Sequence, residues 1–158
     1  MIVSKPPKYI HTNTFSVFLA GSIEMGKAED WQKKFADQFK KHEITLYNPR
    51  RDDWDSSWKQ SINNPQFCEQ VNWELDHLEK ANLIVVYFAG KTQSPITLLE
   101  LGLWASKAPH KVIVYCPDNF WRKGNVDIVC ERYGVRQSKN FNELVQETKK
   151  ELQNYLKN

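Results

Sequence analysis

The 158-residue sequence lacks the features that would place it on a membrane or along a nucleic-acid polymer. No apolar run approaches the length of a membrane span, and the N-terminal stretch MIVSKPPKYIHTNTF has no long apolar segment. The formal net charge is only +3, and the lysines and arginines form no dense cluster. We therefore expect a cytoplasmic protein that binds neither a membrane nor a nucleic-acid polymer.

The sequence is also poor in the residues that build disulfide frameworks and metal sites. Its three cysteines, Cys68, Cys116 and Cys130, are far apart and lack CxxC spacing. Free thiols in a reducing compartment fit this pattern better than disulfides do. The four histidines show no metal-ligand spacing such as HExxH, so we expect no bound metal.

Short apolar runs alternate with helix-like segments along the chain, and the 41% hydrophobic content is ordinary for a globular domain. The runs that predict strands are SVFLA, ITLYN, NLIVVYF, KVIVYC and GVRQ. NLIVVYF is continuously apolar, which is typical of a parallel strand covered on both faces. The pattern predicts one doubly wound α/β domain with a five-stranded parallel sheet over residues 15–158, preceded by a flexible arm over residues 1–14.

Ligands of such sheets bind outside the carboxyl ends of the strands, so the loops there hold the candidate residues. GSIEMGKA, after the first predicted strand, nearly matches the phosphate-binding pattern GxxxxGK[ST]. Ala28 replaces the hydroxyl residue of that pattern, and Glu24 would direct negative charge at a phosphate. A turn at which a small ligand approaches Gly21, Ser22 and Glu24 is therefore favoured over an NTPase site.

The loop NPRRDDWD, after the second predicted strand, allows two interpretations. It is either a solvated surface loop or a segment in which Asp53 and Trp54 grip a small, hydroxylated, planar ligand. Its long polar continuation to residue 65 is typical of functional or disordered loops.

The segment SPITLLELGLWA predicts a helix that is apolar all round except for Glu100. Ser94 suits the N-cap position, and the helix would start at the carboxyl end of the third predicted strand. Glu100 is either a glutamate that escapes to solvent at the helix edge or a carboxylate nucleophile. Glu74, on the core side of the preceding helix, could supply a second acid, and two carboxylates flanking a sugar carbon can cleave a glycosidic bond with retention.

Four pieces in this order, FLAGSIEMG, WELDHLEKANLIVVYF, SPITLLELG and GNVDI, resemble the nucleoside 2-deoxyribosyltransferases and the related 2′-deoxynucleoside 5′-phosphate N-hydrolases. The resemblance implies a flavodoxin-like fold, Glu100 as the nucleophile, and Glu74 as a second acid where the family usually has Asp. It also implies that Asn125 completes the site of a neighbouring subunit in a homo-oligomer. No cofactor is implied.

The resemblance gives opposing indications about the 5′ end of the substrate. Ser94 stands where transferases often have Asp and where the monophosphate hydrolases have Ser. Glu24 stands where those hydrolases tend to have Arg, and a carboxylate there would oppose a phosphate. Together these residues favour free nucleosides over 5′-monophosphates.

We therefore expect an enzyme that transfers a 2-deoxyribosyl group from a nucleoside to a free nucleobase through a glycosyl-glutamate. The alternatives are hydrolysis of deoxynucleosides or of their 5′-monophosphates, and a nucleotide-binding module without turnover. The presence of Glu100 together with an acid at position 74 argues against the pure binding module.

Overall fold

The computed structural model describes residues 1–23 and 28–157. Their strands and helices alternate for most of the chain. In chain order they are β1 Ile2–Ser4, β2 Ser16–Gly21, α1 Trp31–Asp37, β3 Thr45–Tyr47, α2 Pro65–Lys80, β4 Leu83–Tyr87, α3 Pro95–Lys107, β5 Val112–Tyr115, α4 Lys123–Tyr133, β6 Arg136–Ser138 and α5 Phe141–Tyr155.

These strands form one parallel sheet in the order β1-β3-β2-β4-β5-β6. The chain passes from β2 to β3 on one side and then crosses back to β4 on the other side. This reversal makes the carboxyl ends of β2 and β4 the switch point at which open α/β sheets bind their ligands. The predicted α/β class and parallel sheet are thus confirmed.

The sheet has six described strands, whereas the sequence pattern predicts five. The additional strand, β1, lies within the first 14 residues, which were expected to form a flexible arm. It pairs in parallel with β3, with Val3 opposite Leu46. Farther along the same segment, the Lys8 carbonyl accepts a 2.8 Å hydrogen bond from Trp73 Nε1, so this part of the arm also contacts the domain.

The core lies on both faces of the sheet because side chains alternate along each central strand. On β2, Phe18 and Ala20 pack with α2, α3 and α4, whereas Val17 and Leu19 pack with α1 and α5. All four side chains are fully buried. α2 and α3 therefore cover the same face of the sheet as neighbours, and this places their side chains within reach of one another.

Polar side chains set where several helices begin. Asp30 accepts from the Lys33 amide before α1, and Asn64 accepts from the Phe67 amide before α2. These bonds satisfy backbone donors that the first helical turn cannot pair internally. None of the described helices is long and apolar enough to cross a bilayer.

His77 on α2 is held inside a cage of aromatic rings. Its ring centroid lies 4.0 Å from that of Trp73, 4.4 Å from Tyr47 and 5.1 Å from Tyr9. Its Nδ1 donates to the Trp73 carbonyl at 2.7 Å, and its Nε2 is buried without a partner among the described residues. A second ring proton would therefore have no acceptor there, and burial lowers the pKa of His77 below its usual value.

We expect the neutral His77 to make folding stability depend on pH. Below about pH 6.5 His77 of the unfolded chain binds a proton, whereas His77 of the folded protein, with its lowered pKa, stays neutral to lower pH. Proton binding therefore favours the unfolded state, and the free energy of unfolding falls as the pH falls. His77→Phe should remove this contribution, so between pH 7.5 and pH 5 the free energy of unfolding of the variant should fall less than that of the unmodified protein.

Urea denaturation across that range measures the effect, with His110→Phe as the control because His110 is exposed. A pH dependence that is the same in His77→Phe as in the unmodified protein would show that His77 is not the responsible group.

Candidate active site

Two acidic side chains, Glu74 of α2 and Glu100 of α3, come from the two helices that cover the same face of the sheet. Glu74 and Glu100 are each only partly exposed, and their charges interact. Asp76, two residues further along α2, is exposed and accepts from the Tyr9 hydroxyl at 2.8 Å. The predicted position of Glu74 on the core side of α2 is therefore confirmed.

Burial raises the pKa of both carboxyl groups. The pKa of Glu100 lies well above its ordinary value, chiefly through burial and further through the charge of Glu74. Burial raises the pKa of Glu74 to about 7, against the opposing effect of a hydrogen bond from Gln70. At neutral pH the pair therefore does not carry two full negative charges, because the second ionisation is opposed by both burial and like-charge repulsion.

Three hydroxyl groups form a buried cluster at the switch point. Ser22 follows β2, and its Oγ lies 2.6 Å from Ser94 Oγ and 2.8 Å from Thr92 Oγ1. Thr92 donates to the Ala89 carbonyl, and the Ala89 amide donates to Ser22 Oγ. The cluster joins the end of β2 to the loop that leads into α3, which fixes the two sides of the crevice against each other.

Ser94 occupies the N-cap position of α3 as predicted, but its side chain makes no capping hydrogen bond. Its hydroxyl is engaged by Ser22 and Thr92 instead. Among the described residues it is the only non-glycine residue with a positive φ, at 47°. This left-handed conformation costs about 1–2 kcal/mol, so the cluster holds the start of α3 in a geometry that the backbone alone disfavours.

Gly21 lies where no larger residue would fit. A Cβ atom there would come within 2.5 Å of the Tyr87 carbonyl oxygen and 2.6 Å of the Trp31 ring. The Trp31 indole also donates to the Ser22 carbonyl at 3.2 Å. Packing against β4 and α1 thus explains this glycine, whereas the sequence suggested room for a ligand.

The loop between β3 and α2 is organised around Arg51. Its guanidinium donates to Asp53 at 2.7 Å and to Glu69 at 2.8 Å, and it lies 5.0 Å from the Trp58 ring centroid. Asp53 is exposed, and the hydrogen bond from Arg51 lowers its pKa. Trp54 packs edge-on against Trp58 at 5.2 Å. The exposure of Asp53 fits the interpretation of this segment as a solvated loop, whereas Trp54 is partly buried and does not.

Asn125 lies in the first turn of α4 and is exposed. It borders a groove of about 290 Å³ that is lined by Leu98 and Leu101 of α3 and by Val126 of α4. At 100° per residue, these α3 residues lie about 100–160° around the helix from Glu100. Asn125 therefore lies on the other side of α3 from the carboxylate of its own subunit.

A stripe of exposed apolar side chains borders Glu100 on its open side. Ile96, Leu99 and Leu103 are 58%, 69% and 46% exposed, whereas Trp104 on the closed side is buried. All three apolar residues lie within about 100° of Glu100 around α3. The carboxylate thus sits at the border between the core and an apolar surface, and Glu24, which was predicted to border the crevice, lies outside the described residues.

Sequence reasoning missed two residues of this region, Gln70 and Thr92. Gln70 lies one helical turn before Glu74, so an i to i+4 pairing with a core-facing acid was the signal that could have found it. Thr92 lies two residues before Ser94 in the loop AGKTQSP, and no spacing rule predicts its contact with Ser22.

Comparison with known proteins bears on the family of this chain. A family model described as "Nucleoside 2-deoxyribosyltransferase like" matches residues 14–120, which include Glu74, Ser94 and Glu100. No curated protein matches the chain. A conserved protein from Enterococcus faecalis has a similar crystal structure, with a TM-score of 0.63, 13% sequence identity and coverage of 87% of this chain and 99% of that one. That likeness extends to the fold alone. Since the family model matches more than half of the sequence, the chain belongs to the nucleoside 2-deoxyribosyltransferase-like family.

Proposed function

We propose that this protein transfers a 2-deoxyribosyl group between nucleobases through a covalent glycosyl-Glu100 intermediate. The family acts on small nucleoside substrates, which supplies the reaction class. The observation that supports the finer proposal is the pair of interacting, partly buried carboxylates, Glu74 and Glu100. A retaining cleavage of a glycosidic bond uses such a pair, one as nucleophile and one as acid and base.

In the first step an ionised Glu100 attacks C1′ of the nucleoside. The bond from C1′ to a carboxylate oxygen forms, the bond from C1′ to the base nitrogen breaks, and its electron pair leaves with the base. In the second step the nitrogen of another base, or water, attacks C1′ and releases the carboxylate. The low-dielectric surroundings that raise the pKa of Glu100 also leave its ionised form poorly solvated and reactive.

Glu74 supplies the proton that the departing base needs. A group with a pKa of about 7 is protonated in a substantial fraction at neutral pH and can also take the proton back, which suits it to general acid and base catalysis. Of the two singly protonated forms of the pair, only the one with the charge on Glu100 and the proton on Glu74 can carry out this reaction. Hydrolysis of deoxynucleosides is the second candidate, because the partly exposed Glu100 would also be accessible to water.

A first test of the proposed function distinguishes transfer from hydrolysis and tests Glu100 as the nucleophile. The protein is incubated with a deoxynucleoside, with and without a second free base, and the products are separated by chromatography. A newly formed nucleoside indicates transfer, and free deoxyribose in both mixtures indicates hydrolysis. Glu100→Ala and Glu100→Gln should lose nearly all turnover while remaining folded, because neither side chain can form the glycosyl ester.

The matched control is Glu79→Gln, since Glu79 is an exposed glutamate on α2 that pairs with Lys107 at 3.0 Å. It should keep the activity of the unmodified protein. A 2-fluoro-arabinosyl nucleoside should label Glu100, as detected by mass spectrometry of the digested protein. Near-normal turnover by Glu100→Ala would overturn the proposal.

A second prediction concerns the pH profile. Because Glu100 must be ionised and its pKa is raised, kcat/KM should fall as the pH drops through that raised pKa. Glu74→Gln removes the neighbouring charge, so the pKa of Glu100 should fall and the acid limb should move to lower pH. The same variant should lose about 10²–10⁴-fold in rate through loss of the acid. An acid limb that does not move would show that the two carboxylates are not coupled.

A third prediction concerns assembly, which the apolar stripe beside Glu100 supports. We expect a dimer or larger species at micromolar concentration, in which Asn125 of one subunit contributes to the site of another. Leu99→Lys should dissociate it and lower activity, because a charge on the stripe disfavours burial. Leu156→Lys is the control, since Leu156 is 65% exposed at the end of α5. Sedimentation velocity measures both, and a fully active monomer would exclude the shared site.

A further inference from the structure

Gln70 is a buried amide that joins Glu74 to the backbone of the neighbouring loop. It lies on α2 one turn before Glu74 and is 5% exposed. Its Nε2 donates to Glu74 Oε1 at 2.8 Å and to the Pro49 carbonyl at 3.0 Å. Pro49 directly follows Asn48 at the carboxyl end of β3. The amide therefore connects Glu74 to the backbone just beyond that strand.

The Pro49 carbonyl determines which way the amide faces. A carbonyl oxygen can only accept, so the side-chain atom next to it must be the nitrogen of Gln70. The opposite orientation would set the amide oxygen against both the Pro49 carbonyl and Glu74. The backbone nitrogen of Pro49 carries no hydrogen, so it could not donate to the amide oxygen in that opposite orientation.

This orientation has a consequence for the proton of Glu74. An amide N–H can only donate, so Glu74 Oε1 must be an acceptor and cannot carry a proton along this contact. The carbonyl oxygen of a protonated carboxyl group is a stronger acceptor than its hydroxyl oxygen, so this hydrogen bond favours the form of neutral Glu74 that has its proton on Oε2. We propose that Gln70 is a positioning residue that orients Glu74 and directs its transferable proton to Oε2. The proposal rests on the role of Glu74 as the acid in the proposed reaction.

The oxygen of Gln70 supports a functional reason for this amide. Oε1 is buried and has no hydrogen-bond partner among the described residues. Buried acceptors are normally satisfied, and an apolar side chain of similar size would fill the same space without an orphaned oxygen. The amide is thus placed for its two donated hydrogen bonds and not for stability alone.

The test measures the titration of Glu74 by NMR on protein with ¹³C-labelled glutamate carboxyls, and Glu74→Gln assigns the signal. Gln70→Met should raise the pKa of Glu74 by roughly one unit above about 7, because the lost hydrogen bond stabilised the ionised form. In the same variant kcat should fall while KM changes little. Gln32→Met is the matched control, since Gln32 is a fully buried glutamine on α1 that accepts from Arg50 on the other face of the sheet. The pKa of Glu74 in Gln32→Met should equal its value in the unmodified protein.

A second measurement needs no substitution at Gln70 and so does not depend on that variant folding. The side-chain amide signals of Gln70 in the otherwise unmodified protein should shift with pH along the Glu74 titration curve, and Glu74→Gln should abolish that shift. Both titrations are independent of turnover, so an inactive protein would overturn the proposed function without touching this inference. A Glu74 pKa that is unchanged in Gln70→Met, or Gln70 signals that do not titrate, would overturn the inference itself.

Discussion

The burial of two neighbouring carboxyl groups, Glu74 and Glu100, is the constraint on which the rest of the site depends. Burial alone would favour the neutral form of each, and the charge of one further opposes ionisation of the other. The pair therefore holds a proton near neutral pH, which a single exposed glutamate would not do. Such an arrangement costs folding free energy, so the surrounding structure must supply the stability that holds Glu74 and Glu100 together.

The fold supplies that support from three directions. α2 and α3 are parallel neighbours on one sheet face, which sets the spacing of their side chains. The buried hydroxyl cluster of Ser22, Thr92 and Ser94 fixes the start of α3, and the Trp121 indole donates to the Gln93 carbonyl at 3.1 Å beside it. Both anchors lie less than two helical turns from Glu100, so little of α3 separates the fixed end from the reactive carboxylate.

The separation along the chain of two interacting residues decides whether the sequence could predict their contact. Period-two and helical patterns are local, so they predicted the central strands, the core-side position of Glu74 and the switch-point loops. β1 has only three residues, two of them exposed, and its pairing with β3 spans more than forty residues of chain, so no local pattern marks it. The sequence left Asp53 open between a solvated residue and a ligand contact. In the structure Asp53 accepts from Arg51, two residues away, and no pattern in the loop sequence predicts that pairing.

The exposed side of Glu100 decides what the proposed chemistry can yield. A nucleophile must be reachable by substrate, and the same opening that admits a nucleoside admits the water that would hydrolyse its glycosyl ester. Ile96, Leu99 and Leu103 lie at this opening, and their apolar surface favours a partner that excludes water, whether a nucleobase or a second subunit. Under the proposed reaction, the ratio of transfer to hydrolysis therefore depends less on the two acids than on how completely this stripe is covered while the ester exists.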